Sequence, residues 1–188
     1  MTIASIAGGA VPIDAGSLAE PFFAPDAKAF MHDAKAFGAL SHSVKVDASM
    51  AGQYDAVCLC GGHGTCVDFY GPSAAALKAV VEGTYAAGKV VGAVCHGPIG
   101  LIECTKPDGT PLVAGLCVTA FSDAEEAAVG QTDNVPFLLE AKFKALGGLY
   151  QPGADWHANV AVAGKLVTGQ NPQSSDACAA AVVKLLAP

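Results

Sequence analysis

Charged residues are scarce in this chain of 188 residues, and aromatic residues are scarcer still, at 14% and 7% of the total. Lys+Arg 10 against Asp+Glu 17 gives a formal net charge of −7, which argues against a nucleic-acid-binding stripe and a polybasic membrane anchor. No apolar run approaches the ~18 residues that span a bilayer, and the first residues lack the basic and long apolar parts of a secretory signal. We therefore expect a compact, soluble, cytoplasmic protein.

The cysteine count is odd, with seven thiols at positions 58, 60, 66, 95, 104, 117 and 178. An odd count without a secretory signal makes a disulfide framework improbable, because such frameworks belong to oxidising compartments. We expect free thiols in a reducing cytosol. The useful question is then which thiol is reactive.

Short apolar runs alternate with helical patterns along the chain, and this alternation predicts one α/β domain over residues 1–188 with a mostly parallel sheet. Strands are predicted at 2–6, 54–60, 89–94, 116–120, 160–163 and 166–168. Helices are predicted at 26–37, 73–87, 99–104, 137–146 and from 174 or 175 to 186, with one more capped by Ser122.

Two predicted strands end in turns that carry chemistry, Gly61-Gly62-His63-Gly64 and Cys95-His96-Gly97-Pro98. Ligands of open α/β sheets collect at the carboxyl ends of the strands. The second turn resembles a nucleophile elbow, and we expect a helix N-terminus beside it to lower the pKa of the Cys95 thiol. The alternative is that Cys95 is a small buried apolar residue and His96 an ordinary loop histidine. For His63 the simplest interpretation is a turn residue whose backbone matters more than its ring.

A second cluster of soft ligands, Cys58, Cys60, His63 and Cys66, superficially offers a zinc site. However, Cys58 and Cys60 lie in an apolar strand, where alternation directs both side chains to one packed face. We therefore predict no metal.

Four blocks of sequence, in this order and spacing, resemble a known family over almost the whole chain. They are Gly61-Gly62-His63-Gly64, Ala93-Val94-Cys95-His96-Gly97-Pro98, Phe121-Ser122-Asp123-Ala124-Glu125-Glu126 with Val135-Pro136-Phe137-Leu138-Leu139-Glu140, and Thr168-Gly169-Gln170-Asn171-Pro172-Gln173-Ser174-Ser175. Together they are similar to the ThiJ/PfpI superfamily (class I glutamine amidotransferase-like), in its glyoxalase III and heat-inducible chaperone branch.

This resemblance implies a flavodoxin-like, three-layer α/β sandwich with a nucleophile elbow. It implies that Cys95 is the nucleophile, that His96 transfers protons and that Glu126 orients His96, with Glu125 as the nearest alternative. The backbone N–H groups of Gly62 and His63 would stabilise an oxyanion. The implied activity is conversion of methylglyoxal to D-lactate (D-lactate dehydratase) without glutathione, metal or cofactor, and the partner is a small 2-oxoaldehyde.

The resemblance also leaves alternatives open. The branch includes holding chaperones of the stress response, and the superfamily includes deglycases and commonly forms homodimers. The family places a further strand and helix before residues 2–6, and the turn after that strand carries a glutamate that helps to move the substrate proton. We therefore expect a chain that lacks this first strand and helix, so a catalytically impaired, truncated member is a further alternative.

Overall fold

The computed structural model describes residues 1–20 and 22–187, and the chain forms two compact units, Met1–Val46 and Asp47–Pro188. The prediction of one domain over residues 1–188 stays a prediction. In the described residues no helix has the length and apolar character that crossing a membrane requires.

The smaller unit pairs two short parallel strands and carries two helices. Its elements are β1 (Ala4–Ser5), α1 (Pro25–His32), α2 (Ala34–Ser41) and β2 (Val44–Lys45), with a 3-10 turn at Ala15–Leu18. The prediction of a single helix at 26–37 is wrong, because one helix ends before Asp33 and another begins after it. The Asp33 carboxylate accepts hydrogen bonds from the backbone N–H groups of Lys35 and Ala36, so it ends one helix and caps the next.

The larger unit contains six strands and five helices among the described residues. Its strands are β3 (Ala56–Leu59), β4 (Val90–Val94), β5 (Cys117–Val118), β6 (Leu149–Tyr150), β7 (Val160–Ala163) and β8 (Leu166–Gly169). Its helices are α3 (Thr65–Asp68), α4 (Ala75–Ala86), α5 (Asp123–Ala128), α6 (Leu139–Ala145) and α7 (Ser175–Leu186). Its 3-10 turns are Ala48–Met50, Pro72–Ala74, Gly97–Leu101 and Pro172–Ser174.

The main sheet of this unit has the order β3-β4-β8-β7. Strand β4 pairs in parallel with both β3 and β8, and β7 closes the sheet as an antiparallel hairpin with β8. A separate parallel pair joins β5 to β6. The predicted α/β class with a mostly parallel sheet is confirmed, and it places the carboxyl ends of β3, β4 and β8 at one edge.

The core lies on both faces of β4. On one face Val90 packs with Val182 of α7, and a side chain at Gly92 would meet Val182 at 2.9 Å. Because strand side chains alternate, Val91 and Ala93 face the opposite side, and both are buried. Burial on both faces explains why β4 is apolar throughout.

Two local predictions in this unit fail. The helix predicted at 99–104 is the 3-10 turn Gly97–Leu101. Cys58 and Cys60 do share a face, but that face is exposed, because the larger apolar side chain of Leu59 between them takes the buried side. The prediction that these two side chains lie on the same face is right, and the prediction that this face is packed is wrong.

Candidate active site

Cys95 directly follows β4, and its backbone conformation is rare for residues other than glycine. Its φ is +61°, in the left-handed region. Two hydrogen bonds hold it there: its N–H donates to the Gly169 carbonyl at 2.9 Å, and its carbonyl accepts from the Phe121 N–H at 3.2 Å. Strain fixed by neighbouring elements is typical of functional residues, and here it turns the thiol out of the strand.

Two glycines allow the chain to pass this close to the elbow. A Cβ at Gly97 would lie 2.2 Å from the Leu59 carbonyl oxygen, and a Cβ at Gly61 would lie 2.7 Å from the Cβ of Cys95. Both distances are shorter than any ordinary contact, so a larger residue would force the backbone apart. The two turns singled out in the sequence therefore pack directly against each other.

The structure brings Cys95, His96 and Glu126 together in one chain of contacts. The Sγ of Cys95 lies 3.4 Å from Nδ1 of His96, and Nε2 of His96 lies 2.7 Å from Oε2 of Glu126. All three residues are buried. A carboxylate only accepts hydrogen bonds, so Nε2 of His96 carries the proton and Nδ1 presents a lone pair to the thiol.

Glu125, the alternative acid, is committed elsewhere. Its carboxylate accepts hydrogen bonds from four donors: the backbone N–H groups of Trp156 and Ser122 and the side-chain amides of Asn171 and Gln170. Burial would raise the pKa of this carboxyl, but these hydrogen bonds outweigh burial and hold the pKa below its ordinary value. Glu125 therefore anchors loops, and Glu126 is the acid that contacts His96.

The expected lowering of the Cys95 pKa is wrong. The pKa of this thiol is raised to about 12, mainly by burial. The carboxylates of Glu125 and Glu126 also raise the pKa, and the backbone N–H groups of Gly62 and His96 lower it by less than burial raises it. The element after Cys95 is a 3-10 turn, which supplies too few aligned peptide dipoles to offset burial.

Burial also lowers the pKa of His96, although the hydrogen bond to Glu126 opposes this. The resting pair of Cys95 and His96 is thus a neutral thiol beside a neutral imidazole. The thiolate forms when the proton moves from Sγ to Nδ1.

One of the two predicted oxyanion donors lies beside the sulfur. The Gly62 backbone N–H is directed at Cys95, and Gly62 has a φ of +108°, which suits glycine. That the N–H groups of Gly62 and His63 stabilise an oxyanion stays a prediction.

Sequence reasoning missed the ring of His63. Its Nε2 lies 2.8 Å from Oε1 of Glu126, and its ring packs against that of His96 with centroids 4.0 Å apart and the ring planes tilted by 40°. The His63 side chain is 42% exposed, whereas that of His96 is 1% exposed. One carboxylate thus holds two imidazoles, one buried and one open to solvent.

Two further aromatic residues extend this group. The Phe121 ring lies 4.6 Å from that of His96, and the Trp156 ring lies 5.8 Å from that of Phe121. Trp156 has a φ of +59°, and its backbone N–H is one of the four donors to the Glu125 carboxylate. No sequence signal marks Trp156.

A metal would have to compete with these hydrogen bonds. Ligand atoms of His63, His96 and Glu126 lie within 4.8 Å of one another. Among the described residues, these three side chains are the group that lies close enough together to hold a metal ion. In a tetrahedral zinc site with metal–ligand distances of ~2.1 Å, the ligand atoms lie roughly 3.4 Å from one another. The N···O distances of 2.7 and 2.8 Å are shorter, as in a hydrogen-bonded set.

Comparisons with known proteins show which proteins this chain is similar to. Residues 29–185 match the model of the DJ-1/PfpI family. The glutathione-independent glyoxalase HSP31 of Saccharomyces cerevisiae is 38% identical over 130 residues, which are 63% of this chain and 52% of that protein.

Two solved structures are also similar. The crystal structure of glyoxalase III from Candida albicans matches with a TM-score of 0.82 and 30% identity, covering 93% of this chain and 75% of that one. The Rapid Encystment Protein of Francisella tularensis matches with a TM-score of 0.90 and 35% identity, covering 100% and 81%. The matched segments span about half to three fifths of the length of the first curated relatives.

Proposed function

The chain belongs to the DJ-1/PfpI family, and from this premise we propose that it is a glyoxalase III-type enzyme that converts methylglyoxal to D-lactate without glutathione. The observation that carries the proposal is the contact chain of a thiol, an imidazole and a carboxylate at a strained strand end, with distances of 3.4 and 2.7 Å. The similarity to proteins named glutathione-independent glyoxalases supports the same chemistry.

The first step forms a bond between the sulfur and the aldehyde. Nδ1 of His96 takes the thiol proton of Cys95, and the thiolate attacks C1 of methylglyoxal. The aldehyde oxygen then takes the proton from His96, which gives a neutral hemithioacetal. Glu126 stabilises the imidazolium that exists between these two transfers.

The remaining steps rearrange the hemithioacetal to a thioester and then add one water. A base removes the C1 proton, the resulting enediol receives a proton at C2, and C1 becomes a thioester. Water attacks the thioester, the C–S bond breaks and the sulfur regains its proton. C1 is oxidised as C2 is reduced, so no external redox partner is needed. The N–H of Gly62, which is directed at the sulfur, would stabilise the oxyanion of hydrolysis.

The proposal is tested by the product formed from methylglyoxal in the absence of glutathione. Purified wild type is expected to form D-lactate, detected with a stereospecific lactate dehydrogenase, and Cys95→Ala is expected to form none. Cys117→Ala is the matched control, because it removes an exposed thiol in β5. D-lactate production by Cys95→Ala at the control's rate would refute the role of Cys95. Absence of product from folded wild type would refute the function.

We also propose that this activity takes place in the cytoplasm and that the protein forms a homodimer. The seven cysteines are all free thiols, which suits a reducing compartment such as the cytoplasm. A homodimer, which the superfamily commonly forms, is tested by sedimentation of the purified chain.

A further inference from the structure

Glu126 accepts a hydrogen bond from each of two imidazoles in the same way. Its Oε2 is 2.7 Å from Nε2 of His96, and its Oε1 is 2.8 Å from Nε2 of His63. The carboxylate therefore fixes the same tautomer in both rings, with the proton on Nε2 and a lone pair on Nδ1. In His96 that lone pair faces the sulfur of Cys95. The carboxylate–imidazole half of that arrangement is thus present twice.

The two imidazoles differ in where they lie. His96 is buried beneath the elbow, whereas the His63 side chain is 42% exposed. His63 directly follows Gly62, whose N–H is directed at the sulfur, and its ring packs against that of His96. His63 therefore lies beside the elbow with its side chain partly open to solvent.

The proposed reaction needs a second base after the thiol has given up its proton. Of the two carboxylates beside the elbow, Glu126 is held by two imidazoles and Glu125 by four donors. Both oxygens of each carboxylate are therefore already engaged as hydrogen-bond acceptors. The imidazole of His63 retains a free lone pair at Nδ1 in the tautomer that Glu126 selects.

We infer that His63 is a second catalytic base, which takes the C1 proton of the hemithioacetal on Cys95 and returns it to C2. This inference rests on the proposed glyoxalase function. Removal of the C1 proton leaves its electron pair to form the C1=C2 bond, while the C2 carbonyl oxygen becomes an enolate oxygen. When the proton is delivered to C2 and the C1 hydroxyl proton moves to the C2 oxygen, the thioester forms and His63 is again neutral.

The test compares two substitutions that separate a base from a structural contact. His63→Gln keeps a side-chain N–H donor for Glu126 but has no basic nitrogen, and His63→Ala removes both. Both variants are expected to lower kcat for D-lactate about a hundredfold or more, as loss of a general base does. Alkylation of Cys95 by iodoacetamide, followed by peptide mass spectrometry, is expected to stay within about threefold of wild type, because His96 still accepts the thiol proton.

Two controls complete the design. His157→Gln removes another exposed imidazole of the same unit, whose Nδ1 lies 2.8 Å from the Asp155 carbonyl oxygen, and it is expected to keep wild-type turnover. Added imidazole is expected to restore part of the turnover of His63→Ala and none of that of Cys95→Ala, since a free base replaces only the missing base.

The outcomes distinguish failure of this inference from failure of the proposed glyoxalase function. Wild-type turnover by His63→Gln would overturn the inference and leave the glyoxalase proposal standing. Parallel loss of turnover and of Cys95 alkylation would also overturn it, because His63 would then act through His96. If folded wild type forms no D-lactate, the proposed function falls and the inference falls with it.

Discussion

Replacement of Gly97 by alanine should cost more stability than its size suggests. The new Cβ would lie 2.2 Å from the Leu59 carbonyl oxygen and 2.8 Å from its carbonyl carbon. Relief requires roughly 1 Å of backbone displacement between β3 and the turn after Cys95, and overpacking of this kind costs ~1–3 kcal/mol. Because the obstacle is backbone rather than a flexible side chain, we expect a loss of about 3 kcal/mol in the free energy of unfolding.

The measurement is a thermal melt, read against a glycine in the same region that has room. For a chain of this length each 1 kcal/mol shifts Tm by roughly 2–4 °C, so Gly97→Ala should lower Tm by roughly 6–12 °C. Gly64 has a φ of −55° and nothing within 4 Å of a built Cβ. Gly64→Ala should therefore leave Tm unchanged or raise it by a few degrees. Equal Tm values for the two variants would refute the packing explanation.

Three further predictions concern the acids and the second imidazole. Glu126→Gln should lower kcat for D-lactate at least about a hundredfold, since the amide no longer fixes the tautomer of His96. Little change in Tm is expected, and an unchanged kcat would contradict this prediction. Glu125→Gln should lower the free energy of unfolding by ~1–3 kcal/mol in urea melts at about pH 7, because buried donors lose their acceptor. The folded pKa of Glu125 is depressed, so this stabilisation is present above the ordinary value of 4.5 and is lost as pH falls through the folded pKa. The difference in unfolding free energy between wild type and Glu125→Gln should therefore narrow as pH falls below 4.5, and a difference that widens would refute the prediction. His63→Gln should lose turnover while its Cys95 remains alkylated at the normal rate, because His96 still accepts the thiol proton.

The part of the site that can be predicted is the part that lies together in the sequence. Cys95 and His96 come after an apolar strand and precede Gly97-Pro98, so local chemistry alone indicates a turn at the strand end. The family resemblance supplies Glu126, 30 residues further along, and the structure places that acid rather than Glu125 against His96. The family itself is confirmed.

The features that cannot be predicted depend on side-chain direction and burial. The ring of His63 reaches Glu126 because the backbone at Gly62 has a positive φ and because the ring packs against that of His96. A Gly-Gly-His-Gly string indicates a turn, but it does not say where the ring points. The predicted pKa of Cys95 is wrong for a related reason, since burial, which sequence does not display, outweighs the N–H groups near the sulfur.

The fold shows the same division. Strand β4 is predicted closely, because its burial on both faces leaves a continuous apolar run. Strands β2 and β6 are missed, since each is two residues long and is defined by a partner distant in the chain. Pairing of that kind leaves no local pattern in the sequence.

A single turnover tests the role of Cys95 in methylglyoxal conversion most directly. The purified chain is mixed in excess over methylglyoxal without glutathione, quenched at intervals, and assayed for D-lactate and for substrate bound to the Cys95 peptide. We expect an adduct on Cys95 that appears first and decays as D-lactate forms, with neither seen in Cys95→Ala. D-lactate formation with Cys95 unmodified throughout, or equally by Cys95→Ala, would contradict that role.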